Sequence, residues 1–324
     1  YDLSSISTLS FDKFDQNFIE VNGQFGTGKQ YAIPTGIAGS ALIVNKTLVD
    51  EIGIALSQEY DWDQLITWGK QVREYDPELY LLSVNTENGV SFFIRCYSRQ
   101  LNGVPMIDDE NKKLNMTEEQ FTQMFDLIDR LYKSETCAPA SYKAPYNPNK
   151  DQEDPNWING KYVASVGFTS NAQVLMDANP DVEYMAGCMP VMADAKSEGW
   201  VNNCPQYIGI YAETEHPEEA GLFLDYFFNS EEAAETLGVV RSVPPTEFAQ
   251  KIVTDNGQLD YLTAAAVERS LSYEGFDDAG YTTSAEVSKI LADAYEAVSY
   301  GSSTPADTAK DVVNKINEYL ATVE

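Results

Sequence analysis

The stretch from Gly28 to Ile54 limits the possible folds more than any other part of this 324-residue chain. Gly36 and Gly39 lead into an unbroken apolar run over residues 41–44, Asn45 and Lys46 open a short helical pattern, and Gly53 closes it. A short apolar run bounded by turn residues reads as a buried strand, and a glycine directly after a helical pattern reads as its left-handed cap. Asp61 and Trp62 open another helix soon afterwards. A buried strand leaving a glycine-rich crossing is thus followed at once by two helices.

Composition narrows what such a chain can do. With 43% hydrophobic and 12% aromatic residues there is material for two compact lobes, each with its own core. The 51 Asp and Glu against 21 Lys and Arg give a formal charge of −30, which argues against nucleic acid or an anionic membrane as a direct partner. The same charge favours a neutral or cationic solute over an anionic one. No stretch is long and apolar enough to span a bilayer, and Tyr1 does not begin a signal peptide. Cys96, Cys137, Cys188 and Cys204 form no C-x-x-C pair, and His216 stands alone, so neither a metal site nor any cofactor is expected. Cys188 and Cys204 bracket a loop-like segment and suit a disulfide in an oxidising compartment. Four buried free thiols are the equal alternative, and four cysteines can pair in three ways.

Along the rest of the chain, residues 61–75 have the apolar spacing of an amphipathic helix with Asp61 as N-cap, in which Trp62 and Trp68 are expected to pack inward. Phe11, Phe14 and Phe18 are spaced for one helical face, residues 79–84 read as a strand, and residues 85–89 read as a polar turn before a helix starting near Ser91. Asp108 and Asp109 lie in a hairpin-like connector without the alternating oxygen ligands of a calcium loop, so a solvated turn is expected. Thr117 opens a helix with Phe121, Met124, Phe125, Ile128 and Leu131 on one face. A long irregular loop covers 138–155, and the chain ends in two amphipathic helices, 284–300 and 306–320.

Four stretches taken together resemble a known family: residues 28–65, the Gly-Lys turn and strand over 157–171, the crossing at 199–211 with the His-Pro-Glu-Glu-Ala and Ser-Glu-Glu-Ala helix starts at 215–234, and the loop from Gly238 to Thr246. Their order and spacing are similar to those of extracellular solute-binding proteins of family 1, the carbohydrate receptors of ABC importers that include maltose-binding protein. The resemblance implies a two-lobed periplasmic-binding-protein-like (type II) α/β fold with three interlobe crossings. It places residues 1–36 and 206–272 in an N-terminal lobe that is incomplete for lack of its early βα units. Residues 37–205 and 273–324 fall in the C-terminal lobe.

The resemblance also implies function. The expected activity is capture of a carbohydrate, an oligosaccharide above all, in an interlobe cleft and its delivery to ABC permease subunits, with no chemistry performed. The same fold holding a peptide, a polyamine or a phosphorylated polyol is the alternative, and a glycoside hydrolase a remoter one, since 51 acidic residues make chance carboxylate pairs easy to find. An extracellular or periplasmic monomer, lipid-tethered in its full-length form, follows. A sugar offers hydroxyls around an apolar ring face, so its receptor needs polar side chains and an aromatic plane. On the crossings and strand ends the expected contacts are Thr35, Gly36, Ser40, Glu87, Asn88, Asn171, Asn202 and Arg241. Trp200 leads the stacking candidates, ahead of Phe168, Tyr281 and Phe276. Where maltose-binding protein carries a stacking Trp, this chain has the small polar run Thr169, Ser170, Asn171, which argues against maltodextrin.

Overall fold

The computed structural model describes residues 1–143, 145, 151–200, 202–204, 206–240, 242–273 and 279–323. Its strands are β1 (Ile33–Pro34), β2 (Ala38–Asn45), β3 (Tyr80–Ser83), β4 (Ile107–Asp108), β5 (Lys113–Leu114), β6 (Tyr162–Phe168), β7 (Tyr184–Gly187), β8 (Asn202–Asn203) and β9 (Tyr207–Ile208). The principal sheet runs β3-β6-β2-β7, with β8 paired to the start of β2. β2 is antiparallel to both β6 and β7, and β3 is parallel to β6.

The apolar run at 41–44 has its physical explanation here. All eight residues of β2 are buried, because helices cover both faces of the sheet. One core joins Leu42, Val44, Leu82 and Val166 with Leu65, Phe93, Phe121, Ile128, Leu291 and Ile316. A second core joins Ala41, Ile43, Tyr80 and Tyr162 with Trp157, Leu175, Leu262 and Ala266. The helix Lys46–Ile52 is capped as its sequence directs: the Asn45 side chain accepts from Leu48 N, and Gly53 takes the left-handed conformation at φ 78. Asp61 caps Trp62–Tyr75 in the same way.

A smaller core joins Leu3, Ile6, Phe14, Ile19, Ile33, Leu224 and Phe228. It lies between the β1-β9 ribbon and the helices Gln16–Gly23 and Pro217–Asn229, with Glu231–Leu237 and Glu247–Asp255 alongside. Two halves result, and the chain passes between them on neighbouring segments. Thr35 N–H donates to Gln206 O at 2.9 Å, Ile37 N–H to Val243 O at 2.7 Å, and Ala38 pairs with Asn203.

Several expectations need correcting. Residues 206–272 do not all stay with the first half: the helix Tyr261–Leu271 lies on β2 and β7, with Leu262 and Ala266 in the sheet's core, so the third passage occurs before Tyr261 rather than at 273–281. Amphipathic spacing shows that a helix has an inner face but not which sheet receives it. Helical structure begins at Thr86, not near Ser91, and continues through Asn102 with a π-helical middle, Gly89–Cys96. The glycine there is steric, since a Cβ at Gly89 would stand 2.1 Å from the Tyr295 ring. Phe11 and Phe14 precede the first α-helix instead of lying on it. The four cysteines are buried and none is in a disulfide, so Cys188 and Cys204 are not bridged. Burial pushes the Cys137 thiol well above its ordinary pKa.

Candidate functional site

A cavity of about 220 Å³ opens between the two halves. Ile37 and Val243, paired across the first crossing, form its floor with Gln206 from the second. One wall comes from the larger half. β6 ends in the turn Thr169–Asn171 and passes into the helix Ala172–Ala178, bringing Thr169, Ser170 and Gln173 to the cavity. Thr169 Oγ1 accepts from Gly39 N–H at 3.2 Å, which pins this turn to β2. Asp260 and Thr263 complete that wall from the start of the helix Tyr261–Leu271, where Asp260 Oδ1 accepts from Thr263 N–H at 2.8 Å. The opposite wall is Val239, Val240 and Ser242 from the smaller half. A polar wall thus faces an aliphatic one, and the cavity sits at the end of a sheet strand, where open α/β folds place ligands.

The structure distributes the sequence-derived candidates unevenly. Asn88 and Asn171 come together, each with its amide nitrogen 3.5 Å from where a Cβ of Gly167 would stand. Asn88 Nδ2 donates to Val166 O at 2.9 Å, and Asn171, half-buried, follows Ser170 directly out of the cavity wall. Glu87 is exposed one residue before Asn88. Phe168 is half-buried at the end of β6, its ring 5.2 Å from that of Phe92. Thr35, Gly36 and Ser40 are buried along the first crossing. Thr35 Oγ1 donates to Gln206 O at 3.3 Å, and its side chain borders a separate small cavity with Phe227, Phe228 and Pro244. Asn202 pairs through its backbone with Gly39. Arg241 and Phe276 lie outside the described residues.

Trp200 is a correction. It is 1% exposed, its ring lies 6.0 Å from Trp62 and 5.9 Å from Phe92, and its Nε1 donates to Pro190 O at 2.9 Å. The buried Gln100 explains why: Nε2 donates to Pro190 O and Glu198 O, while Oε1 accepts from Met192 N–H and Trp62 Nε1. That one amide lashes the 190–198 segment to the core and carries Trp200 inward with it. Tyr281 is likewise turned away, its ring 6.3 Å from Tyr319 and its N–H donated to Asp109 Oδ1 at 2.9 Å. Neither lines the cavity.

Sequence reasoning missed Gln173, Gln206, Val239, Val240, Asp260 and Thr263. Only Asp260 left a signal, as an N-cap ahead of an amphipathic stretch; its nearness to Ser170 depends on where that helix docks. Among the described residues, no group of three or more His, Cys, Asp or Glu is placed to hold a metal, and no helix is long and apolar enough to cross a membrane.

Comparison with known proteins fits this architecture. Residues 2–261 match the family profile described as bacterial extracellular solute-binding protein. An arabinooligosaccharide-binding protein of Halalkalibacterium halodurans is 27% identical over 223 residues, 67% of this chain, so that the chain spans about half (48%) of that relative's length. Among solved structures, a de novo designed cysteine esterase superposes with a TM-score of 0.86 at 22% identity, over 99% of this chain and 79% of that one. A periplasmic oligogalacturonide-binding protein from Yersinia enterocolitica, solved with saturated digalacturonic acid, gives 0.82 at 22% identity over 99% and 80%. At such identities the structural likeness establishes the fold, and the profile match over four-fifths of the sequence establishes the lineage: the chain belongs to the bacterial extracellular solute-binding protein family.

Proposed function

We propose that this chain is the capture component of an ABC importer, binding a carbohydrate, an oligosaccharide above all, between its two halves and presenting it to membrane permease subunits. The observation that carries this reading is the interlobe cavity with its wall of hydroxyl, amide and carboxylate groups from Thr169, Ser170, Gln173, Asp260 and Thr263. Such groups suit a polyol, because each sugar hydroxyl donates one hydrogen bond and accepts others. They also give selectivity, since a buried polar group left without its partner costs about 1–3 kcal/mol. Asn171, half-buried, continues the polar surface from Ser170, and the buried Asn88 packs beside it with its amide given to Val166 O. The relative that binds arabinooligosaccharide and the neighbour solved with digalacturonic acid lend the carbohydrate class support.

Closure follows from the adjacent crossings: a solute touching both halves favours the closed arrangement by its extra contacts there. Binding without turnover is part of the reading. Glycoside hydrolysis commonly uses two carboxyl groups across the scissile bond, and the cavity's described lining supplies Asp260, already engaged as a helix cap. A monomer working outside the cytoplasmic membrane, lipid-tethered or periplasmic, completes the proposal.

The test is a thermal-shift screen of the unsubstituted chain against arabinooligosaccharides, oligogalacturonides, maltodextrins, peptides and polyamines. A true ligand at a hundred times its Kd should stabilise the fold by about 2.7 kcal/mol. Mass spectrometry of the recovered saccharide should find it intact. Silence to every saccharide with a response to a peptide or polyamine would overturn the carbohydrate assignment, and cleavage would overturn the receptor one.

A further inference from the structure

The cavity's aliphatic wall assigns a part to residues that composition and motif pass over. Val240 is 73% exposed, and among the described residues it forms with Val239 and Ser242 the wall that the smaller half gives the cavity. These residues sit on a tight turn. Val240 N–H donates to Leu237 O at 3.1 Å, Ser242 N–H donates to Val239 O at 3.0 Å, and Ser242 takes φ 74, a left-handed conformation that a non-glycine residue holds only under strain. Directly after it, Val243 O accepts from Ile37 N–H, so the turn is tied to the first crossing. Ser242 also borders the small cavity behind it, lined by Thr35, Phe227 and Pro244. The turn therefore stands between two spaces and projects a branched apolar side chain towards the polar wall opposite.

We propose that Val239 and Val240 form the apolar jaw of the cleft: on closure they cover the C–H face of a saccharide whose hydroxyls are held by Ser170, Gln173, Asp260 and Thr263. This rests on the carbohydrate reading above and deepens it. The jaw takes the place of the aromatic plane that the sequence suggested at Trp200, which is spent in the core. Its chemistry selects a ligand with hydroxyls along one edge and an uncharged face on the other, because a valine pair offers a charged group no compensation for lost water.

Arabinotriose and saturated digalacturonic acid serve as probes in separate calorimetric titrations of the full chain, alongside Val240→Ser and Val240→Leu. For whichever probe binds, Val240→Ser should weaken Kd about ten-fold and make the binding heat-capacity change less negative, since less apolar surface is buried. Val240→Leu should keep both near the parent values. The Tm of unliganded Val240→Ser should equal that of the parent, because the side chain stands in water before binding. A parent that binds, with Kd and heat-capacity change unaltered in Val240→Ser, overturns the jaw and leaves the receptor reading intact. A parent silent to both probes and to the saccharide panel overturns the two together.

Discussion

Gly89 shows how far one residue's environment can lie from its sequence neighbourhood. In the chain it closes what reads as a polar turn; in the fold it lies mid-helix beneath the ring of Tyr295, whose hydroxyl hydrogen-bonds that of Tyr132 at 2.7 Å. The two phenols are buried, and burial raises the pKa of both. Gly89→Ala should therefore cost about 1–3 kcal/mol as the Tyr132–Tyr295 pair is forced apart, read as a lower urea midpoint at unchanged slope. A midpoint equal to the parent's would mean that the ring gives way freely. Trp200 carries the same lesson in reverse. Its residue type suited a stacking platform, but the hydrogen-bonding of Gln100, a hundred residues away in sequence, committed it to the core.

Among the elements, those built from local signals match their sequence. Thr117 and Gln120 make a reciprocal capping box at the start of Glu118–Lys133, and Ser230, Thr246, Asp260, Ser284 and Thr304 each cap the helix that follows. How the helices dock needed the coordinates. The helix Pro217–Asn229 is fastened to the chain's first residues through Glu218, whose carboxylate accepts from Ser7 Oγ at 2.8 Å and Thr8 N–H at 3.2 Å. These bonds, that of the Ser7 hydroxyl foremost, hold its carboxyl below the usual glutamate pKa. A group held lower in the folded state contributes stability that is present above its unfolded value and is lost as pH falls through its folded value. Glu218→Gln should thus unfold at lower temperature than the parent at neutral pH, and the gap should close on acidification to about pH 3. Paired melting curves across that range would reveal a gap independent of pH if the carboxylate were not the anchor.

Taken whole, the molecule carries a formal charge of −30, and self-repulsion on that scale opposes a compact state. Raising salt from about 10 to 300 mM shortens the screening length several-fold, so Tm should rise; a flat or falling Tm would show that local ion pairs such as Arg130–Asp63 and Lys161–Glu78 outweigh the global term. The sequence alone determined β2 as a buried strand, the capped helices and the family resemblance with the α/β class it implies, because each rests on residues near one another in the chain. Of the expected contacts, Asn171 and Asn88 follow strand ends that local pattern can locate, and the fold brings them together beside Ser170 of the cavity wall. The tertiary structure alone decided which side chains face the cleft. Ser170, Asp260 and Val240 meet across seventy and ninety residues of intervening chain because the helix Tyr261–Leu271 docks on β2 and the turn before Ser242 is tied to Ile37. Their proximity is a property of packing, which no local periodicity encodes.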